Sequence, residues 1–174
     1  HSGPLASSIA IDKEISKKIF IKNKILTPKY IVLNKNEFKK ESFKKILTKN
    51  KIIFPAVLKP INEGSSIGVK IVKNDKDLKK STNILFKNYK KLILEQFVGG
   101  QEIQAAILND NSLGAIELVP KRSFYDYKAK YTKSAKTKHI MPARLEKKKY
   151  VEVLKLAKKA HKALGCKGVT RSDF

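Results

Sequence analysis

The sequence predicts an α+β chain of mostly antiparallel strands, and three observations predict it. Short apolar-alternating runs of strand length are interleaved with amphipathic runs of helix length. Two strand-like runs, over 92–98 and 101–108, flank Gly99-Gly100 and read as an antiparallel hairpin or a sharp strand connection. The length of 174 residues, 41% apolar and 31% charged, suits one globular domain or two small ones.

Each element follows in order. Residues 12–26 read as a helix with Asp12 as N-cap and Ile15, Ile19 and Phe20 on one face. Thr27-Pro28 ends it, because the residue before proline is pushed out of the α region. Residues 30–33 form a short strand. Asn36 caps a basic helix over 37–49 whose apolar face is Phe38, Phe43, Ile46 and Leu47. A strand over 56–59 is entered through Pro55, a polar glycine-bearing loop fills 60–68, and a strand fills 69–72. Asn74 or Asp75 opens a helix over 76–90. Asp110-Asn111 and Gly114 mark a turn, and a strand over 114–119 stops at Pro120. Residues 121–141 are aromatic, basic and irregular. Residues 147–164 form the plainest helix, with Val151, Leu154, Ala157, Ala160, His161 and Leu164 near one face and Gly165 as C-cap. Residues 168–174 read as a strand. The join near 95–100 divides the chain into two small lobes.

Composition excludes a collagen, a disulfide scaffold and a disordered tail, and no run approaches the roughly 18–20 apolar residues of a membrane span. The single cysteine, Cys166, permits no internal disulfide and points to a reducing compartment. Basic residues number 39 against 15 acidic, a formal charge of +24. All but Arg122, Arg144 and Arg171 are lysines, whereas a nucleic-acid reader uses arginine for bidentate contacts. The lysines run along the whole chain beside abundant Ile and Asn. Genome composition with solvated lysine is the simpler account; a polyanion-binding face is the other. The chain opens His1-Ser2-Gly3 with no targeting segment and stops just after a strand begins, which reads as a piece of a longer protein.

Four constellations could carry chemistry. Lys59-Pro60 followed by Glu63-Gly64-Ser65-Ser66-Ile67-Gly68 sets an ammonium and a small-residue loop together, one way to hold phosphate. It is not a Walker A loop, and a plain glycine-bearing hairpin loop is the alternative. Glu95-Gln96-Phe97-Val98 with Glu102 offers a strand edge for a purine and a carboxylate for ribose, or simply two solvated carboxylates. Residues 124–131, Phe-Tyr-Asp-Tyr-Lys-Ala-Lys-Tyr, form an aromatic and basic loop able to close over an anion, to stack bases or to pack on itself. Arg171 and Asp173, two apart in a strand, share a face: a cation beside a candidate Mg²⁺ ligand, or an ion pair. His161 reads as a packed histidine and Cys166 as a small buried hydrophobe.

These segments, in this order with Leu5-Ala6-Ser7-Ser8-Ile9-Ala10-Ile11-Asp12-Lys13 before them and Ala163-Leu164-Gly165-Cys166-Lys167-Gly168 ahead of Arg171-Ser172-Asp173-Phe174, closely resemble the D-alanine–D-alanine ligase family of the ATP-grasp superfamily. The resemblance spans essentially the whole chain. It implies the ATP-grasp fold, two small α+β lobes with mainly antiparallel sheets holding ATP between them. The strap from a missing N-terminal lobe would be 1–13, the central lobe 14–97 and the partial C-terminal lobe 98–174. The implied activity is ATP-dependent joining of two D-alanines through an acyl phosphate, for peptidoglycan precursor synthesis, with D-lactate or D-serine as alternative acceptors. A basic nucleic-acid-binding module is the reading outside this family.

The resemblance also implies roles. Lys13 and Lys59 would contact ATP phosphates, and the loop of Glu63, Gly64, Ser65 and Ser66 would cover them. Glu95 and the backbone of Gln96, Phe97 and Val98 would hold adenine, and Glu102 ribose. Lys130 would reach the transferred phosphate, Tyr131 would meet Ser65, Arg171 would stabilise the oxyanion, and Asp173 would ligate Mg²⁺ or Mn²⁺. It further implies ATP and D-alanine as small-molecule substrates, a cytoplasmic homodimeric parent, and neither nucleic acid nor membrane as partner. Lys128 stands where the family commonly has an acidic residue. The family's Glu-x-Asn strand with the other magnesium ligands is absent, so the 174 residues alone would be inactive.

Overall fold

Pairing is antiparallel in every ladder among the described residues, and it builds two four-stranded sheets. The structure, a computed structural model, describes residues 1–38, 42–120 and 137–174. The strands are β1 (Tyr30–Asn34), β2 (Ala56–Pro60), β3 (Lys70–Val72), β4 (Lys91–Gln96), β5 (Glu102–Leu108), β6 (Asn111–Val119), β7 (Lys138–Ile140) and β8 (Val169–Asp173). The helices are α1 (Pro4–Ile11), α2 (Lys13–Lys22), α3 (Phe43–Asn50), α4 (Asp75–Leu85) and α5 (Lys147–Ala163). The first sheet runs β1-β4-β2-β3 and the second β7-β6-β5-β8. The α+β expectation therefore holds. Because β4 and β5 belong to different sheets, Gly99-Gly100 is a strand connection and not a hairpin turn. Gly100 takes φ +130, which side chains other than hydrogen rarely permit.

The chain divides into two units. One comprises Ile11–Glu14 and Thr27–Gly99; the other comprises His1–Ala10, Ile15–Leu26 and Gly100–Phe174. Residues 15–26 thus group apart from 27–99, unlike the 14–97 lobe of the family resemblance. Two ties explain this. Ser2 Oγ donates to the Lys167 carbonyl and accepts from the Lys167 N–H, both at 3.0 Å, which fastens the segment leading into α1. Ser16 Oγ donates to the Ile9 carbonyl at 2.7 Å, which fastens α2 to α1.

In the first-sheet unit, alternation along β2 buries Ala56, Leu58 and Pro60 on one face. Ala56 and Leu58 share a core with Val72, Leu92 and Leu94 from neighbouring strands, Leu47 of α3, and Leu78 and Leu85 of α4. Each such leucine contributes about 1.5–3 kcal/mol by leaving water. Asn74 caps α4 by accepting from the Asp77 N–H at 2.9 Å. The helix expected over 37–49 is shorter. Ser42, not Asn36, is its N-cap, and Asn34 instead donates to Glu37 at 2.8 Å in a turn after β1.

In the second-sheet unit, Ile103, Ala105, Ile107 and Ala115 face Ala157 of α5. The β5–β6 turn is Asn109-Asp110, one residue earlier than expected, with φ 45 and 67 as a type I′ turn requires. Gly114 falls inside β6, opposite Ala106 at the register shift. The helix expected over 12–26 is α2 preceded by a separate α1, whose start uses Pro4 in the first turn. No helix among the described residues is long and apolar enough to cross a membrane.

Candidate functional site

The face of the first sheet opposite its core carries the charges. Val57 pairs with Glu95 and Lys59 with Ile93, so Lys59 and Glu95 are diagonal neighbours on one face. Lys59 Nζ donates to Glu95 Oε2 at 2.7 Å, with the Glu95 side chain 8% exposed. Lys13 approaches the same place from the α1–α2 junction. Its N–H donates to the Ile61 carbonyl at 3.2 Å, and its Nζ donates to the carbonyls of Ile61, at 3.0 Å, and Glu63. Burial first, and then the Lys59 charge, lower the Lys13 pKa; Glu95, Glu63 and Asp12 oppose them. Two ammoniums and one carboxylate are thus gathered within this unit.

The loop after β2 is a built turn. The Ile67 N–H donates to the Gly64 carbonyl at 2.9 Å, and both residues between them, Ser65 and Ser66, have positive φ of 50 and 61. Non-glycine residues in this region cost of order 1 kcal/mol each and persist where the surroundings impose them. Gly68, at φ +71, closes the turn against β2; a Cβ there would lie 2.8 Å from Pro60 Cγ. Glycine is the one residue that fits. An ammonium pair beside such a turn suits a chain of phosphate oxygens.

The end of β4 is closed by a side chain. Gln96 Oε1 accepts from the Ile53 N–H at 2.9 Å, and its backbone N–H donates to the Lys29 carbonyl at 2.9 Å. Phe97 and Val98 follow it out of the sheet, Val98 being exposed.

In the second-sheet unit, Glu102 opens β5. Gln104 of β5 pairs with Asp173 of β8, and Ala106 with Arg171, so Glu102, Gln104, Arg171 and Asp173 share one face. Arg171 Nε lies 3.9 Å from Asp173 Oδ1, and both side chains are about two-thirds exposed, at 66% and 68%. Asp173 is thus a single accessible carboxylate beside a guanidinium. That donor set fits one ligand of a hard cation which takes its remaining oxygens elsewhere. Among the described residues no group of three or more His, Cys, Asp or Glu is placed to hold a metal by itself.

The family model for the D-Ala-D-Ala ligase C-terminus matches residues 19–174. The chain belongs to the D-alanine–D-alanine ligase family. It is 56% identical to the D-alanine–D-alanine ligase of Pelagibacter ubique over all 174 residues, covering 56% of that relative. The crystal structure of D-alanine–D-alanine ligase from Bacillus anthracis matches 99% of the chain at 34% identity and TM-score 0.82, with 54% of that structure covered. The same enzyme complexed with ATP matches at 32% identity and TM-score 0.79, with 99% of this chain and 53% of that one covered. The VanG D-Ala:D-Ser ligase of Enterococcus faecalis matches at 27% identity and TM-score 0.83, with coverages of 99% and 50%. The chain spans about half the length of the relatives it matches. The ATP-grasp fold expected of this family is the one found.

Within this ligase-family fold, Lys13, Lys59, Glu63, Gly64, Ser65, Ser66, Glu95, Gln96, Phe97 and Val98 belong to the first-sheet unit, and Glu102, Arg171 and Asp173 to the second. Lys130 and Tyr131 lie outside the described residues. Sequence reasoning missed two features. Tyr89, just beyond α4, has its phenol pKa raised by burial first and then by Glu63; nothing in the lysine-rich stretch around it marks this. Glu117, 4% exposed, is held bidentately by Arg144, at 2.8 and 2.9 Å, and by Gln101 at 3.2 Å. Its signal was available: in β6 an acidic residue stands two positions after buried Ala115, on the inward-facing parity.

Proposed function

We propose that the full-length protein joins two D-alanines into D-alanyl-D-alanine at the expense of ATP, for peptidoglycan precursor synthesis. One carboxylate oxygen of the first D-alanine takes the terminal phosphoryl group of ATP, giving an acyl phosphate and ADP. The amine of the second D-alanine attacks the acyl carbon, phosphate leaves, and the amine loses a proton. The observation that carries this reading is the gathering of Lys13, Lys59 and the Gly64–Ile67 turn in one unit. Their ammoniums neutralise phosphate charge, and the Ser65 and Ser66 turn lies over it. Glu95, with the backbone of Gln96, Phe97 and Val98, receives the adenine, and Glu102 the ribose.

Arg171 stabilises the oxyanion formed as the amine attacks, and Lys130 and Tyr131 complete the set around the transferred phosphate. Such a reaction needs positioning and charge neutralisation more than covalent help. Asp173 would hold Mg²⁺ or Mn²⁺, which supplies further neutralisation of the phosphate. The protein works in the cytoplasm as a homodimer, without nucleic acid or membrane.

The test is phosphate release from ATP by the full-length protein. We expect release to require D-alanine and Mg²⁺, with D-alanyl-D-alanine as product and little turnover when D-serine or D-lactate is offered as acceptor. Lys59→Ala should lower kcat/KM at least about 100-fold, the scale of a lost preorganised charge. Release indifferent to D-alanine would sink the reading, and preference for another acceptor would move it to the D-serine or D-lactate branch.

A further inference from the structure

Arg171 and Asp173 stand on an edge strand, since β8 pairs with β5 alone. The two ends of that strand are held differently. Beside Asp173, Phe174 and Ile103 exchange both backbone hydrogen bonds, at 3.0 and 2.8 Å. Arg171 pairs with Ala106 and Thr170 with Ile107, and between those two residues the β5–β6 register shifts. Such a shift locally disrupts the ladder and increases its twist. Here a side chain reaches β8 from behind. Thr170 lies opposite Ile107, so it faces α5, while Arg171 and Asp173 face the other way. The Thr170 hydroxyl is 2.7 Å from Nδ1 of His161, a buried residue in the last turn of α5. Nε2 of the same ring faces Asp110 Oδ1, in the β5–β6 turn, at 3.5 Å, and Lys162 Nζ holds the other carboxylate oxygen at 3.3 Å. A carboxylate only accepts, so it keeps the proton of the neutral imidazole on Nε2 and leaves Nδ1 to accept from the Thr170 O–H. One ring thus ties α5, the β5–β6 turn and β8 together where the ladder is irregular.

We propose that His161 is a positioning residue for Arg171, acting through Thr170. This rests on the reading above in which Arg171 stabilises the oxyanion. The Arg171 side chain is two-thirds exposed, and its approach to Asp173 is long, at 3.9 Å. Its aim therefore follows the backbone that carries it, and the Thr170–His161 hydrogen bond sets that backbone from the reverse face. Oxyanion stabilisation depends on donors held in place before the charge forms, and small displacements of a positioned group are costly. Asp173 sits at the end of β8 that the ladder itself holds, so nucleotide and metal binding do not depend on the tether.

The test is steady-state kinetics of the full-length protein with ATP, Mg²⁺ and D-alanine, beside calorimetric titration of a non-hydrolysable ATP analogue with Mg²⁺. Thr170→Val removes the hydroxyl and keeps the shape; Thr170→Ser keeps the hydroxyl. We expect Thr170→Val to lower kcat about three- to tenfold, the scale of one hydrogen bond, with the analogue Kd unchanged, and Thr170→Ser to restore kcat. His161→Leu should lose as much as Thr170→Val, and His161→Asn, whose amide stands near the place of Nδ1, should recover most of it. In an Arg171→Ala background Thr170→Val should cost nothing further, because the group it aims is gone. A loss that persists in that background, or a Kd that weakens in step with kcat, makes the contact merely structural and overturns the proposal. Wild-type kcat in both Thr170→Val and His161→Leu overturns the tether and leaves the role of Arg171 standing. Wild-type kcat in Arg171→Ala overturns that role and the proposal with it, as does a wild type that makes no D-alanyl-D-alanine.

Discussion

Glu117 is a buried acid whose charge is fully answered. Arg144 holds it with Nε and Nη2, the Arg144 N–H adds a third contact at 3.4 Å, and Gln101 a fourth. The Arg144 hydrogen bond is the main cause that lowers its pKa from 4.5 to about 2, against burial, which raises it. A depressed carboxylate pKa stabilises the fold above the unfolded value and ceases to do so as pH falls through the folded one. Wild type should therefore exceed Glu117→Gln in urea midpoint at pH 7 by a gap that narrows below pH 4.5 and closes near 2. Urea melts of both proteins across that range check it, and a gap independent of pH would refute it. At this scale Lys59 and Glu95 were legible as residues, but their pairing was not. It depends on the Val57–Glu95 register, which joins strands about 36 residues apart and leaves no local trace.

Helix ends follow one pattern with different residues. After α5, Gly165 has φ +67, its N–H donates to the Lys162 carbonyl and the Cys166 N–H to the His161 carbonyl. The same double closure ends α2 at Lys24 and α3 at Lys51, with φ 54 and 52. Lysine in this backbone carries a steric cost of about 1–2 kcal/mol, partly offset because glycine loses more freedom on folding. Lys51→Gly should accordingly stabilise the protein by about 0.5–1 kcal/mol, read as a higher urea midpoint at unchanged slope. A lower midpoint would mean the Lys51 side chain holds a contact that outweighs the strain. The C-terminus of α5 was legible because glycine marks it; those of α2 and α3 were not, because lysine marks nothing. Residues 4–11 escaped notice because apolar and small side chains surround α1 without a polar stripe.

Over the whole molecule the charge of +24 invites an electrostatic reading. Lysines spread along the chain give attraction without a reader of bases. We expect association with duplex DNA to fade by orders of magnitude between about 50 and 200 mM salt and to be the same in Lys59→Ala. A salt-resistant complex that needs Lys59 would instead revive the nucleic-acid reading. The fold class was legible because alternation and helical spacing are short-range signals. Unit membership was not: the place of residues 15–26 is decided by Ser2, Ser16 and Lys167, of which the last lies 165 residues from the first. The chain passes from one unit to the other at 10/11, 14/15, 26/27 and 99/100. In evolutionary terms the two units are therefore one heritable block. A recombination that replaced residues 27–99 with a foreign segment would leave Lys13 behind, so the partner carbonyls of Ile61 and Glu63 would arrive from one lineage and their ammonium from another.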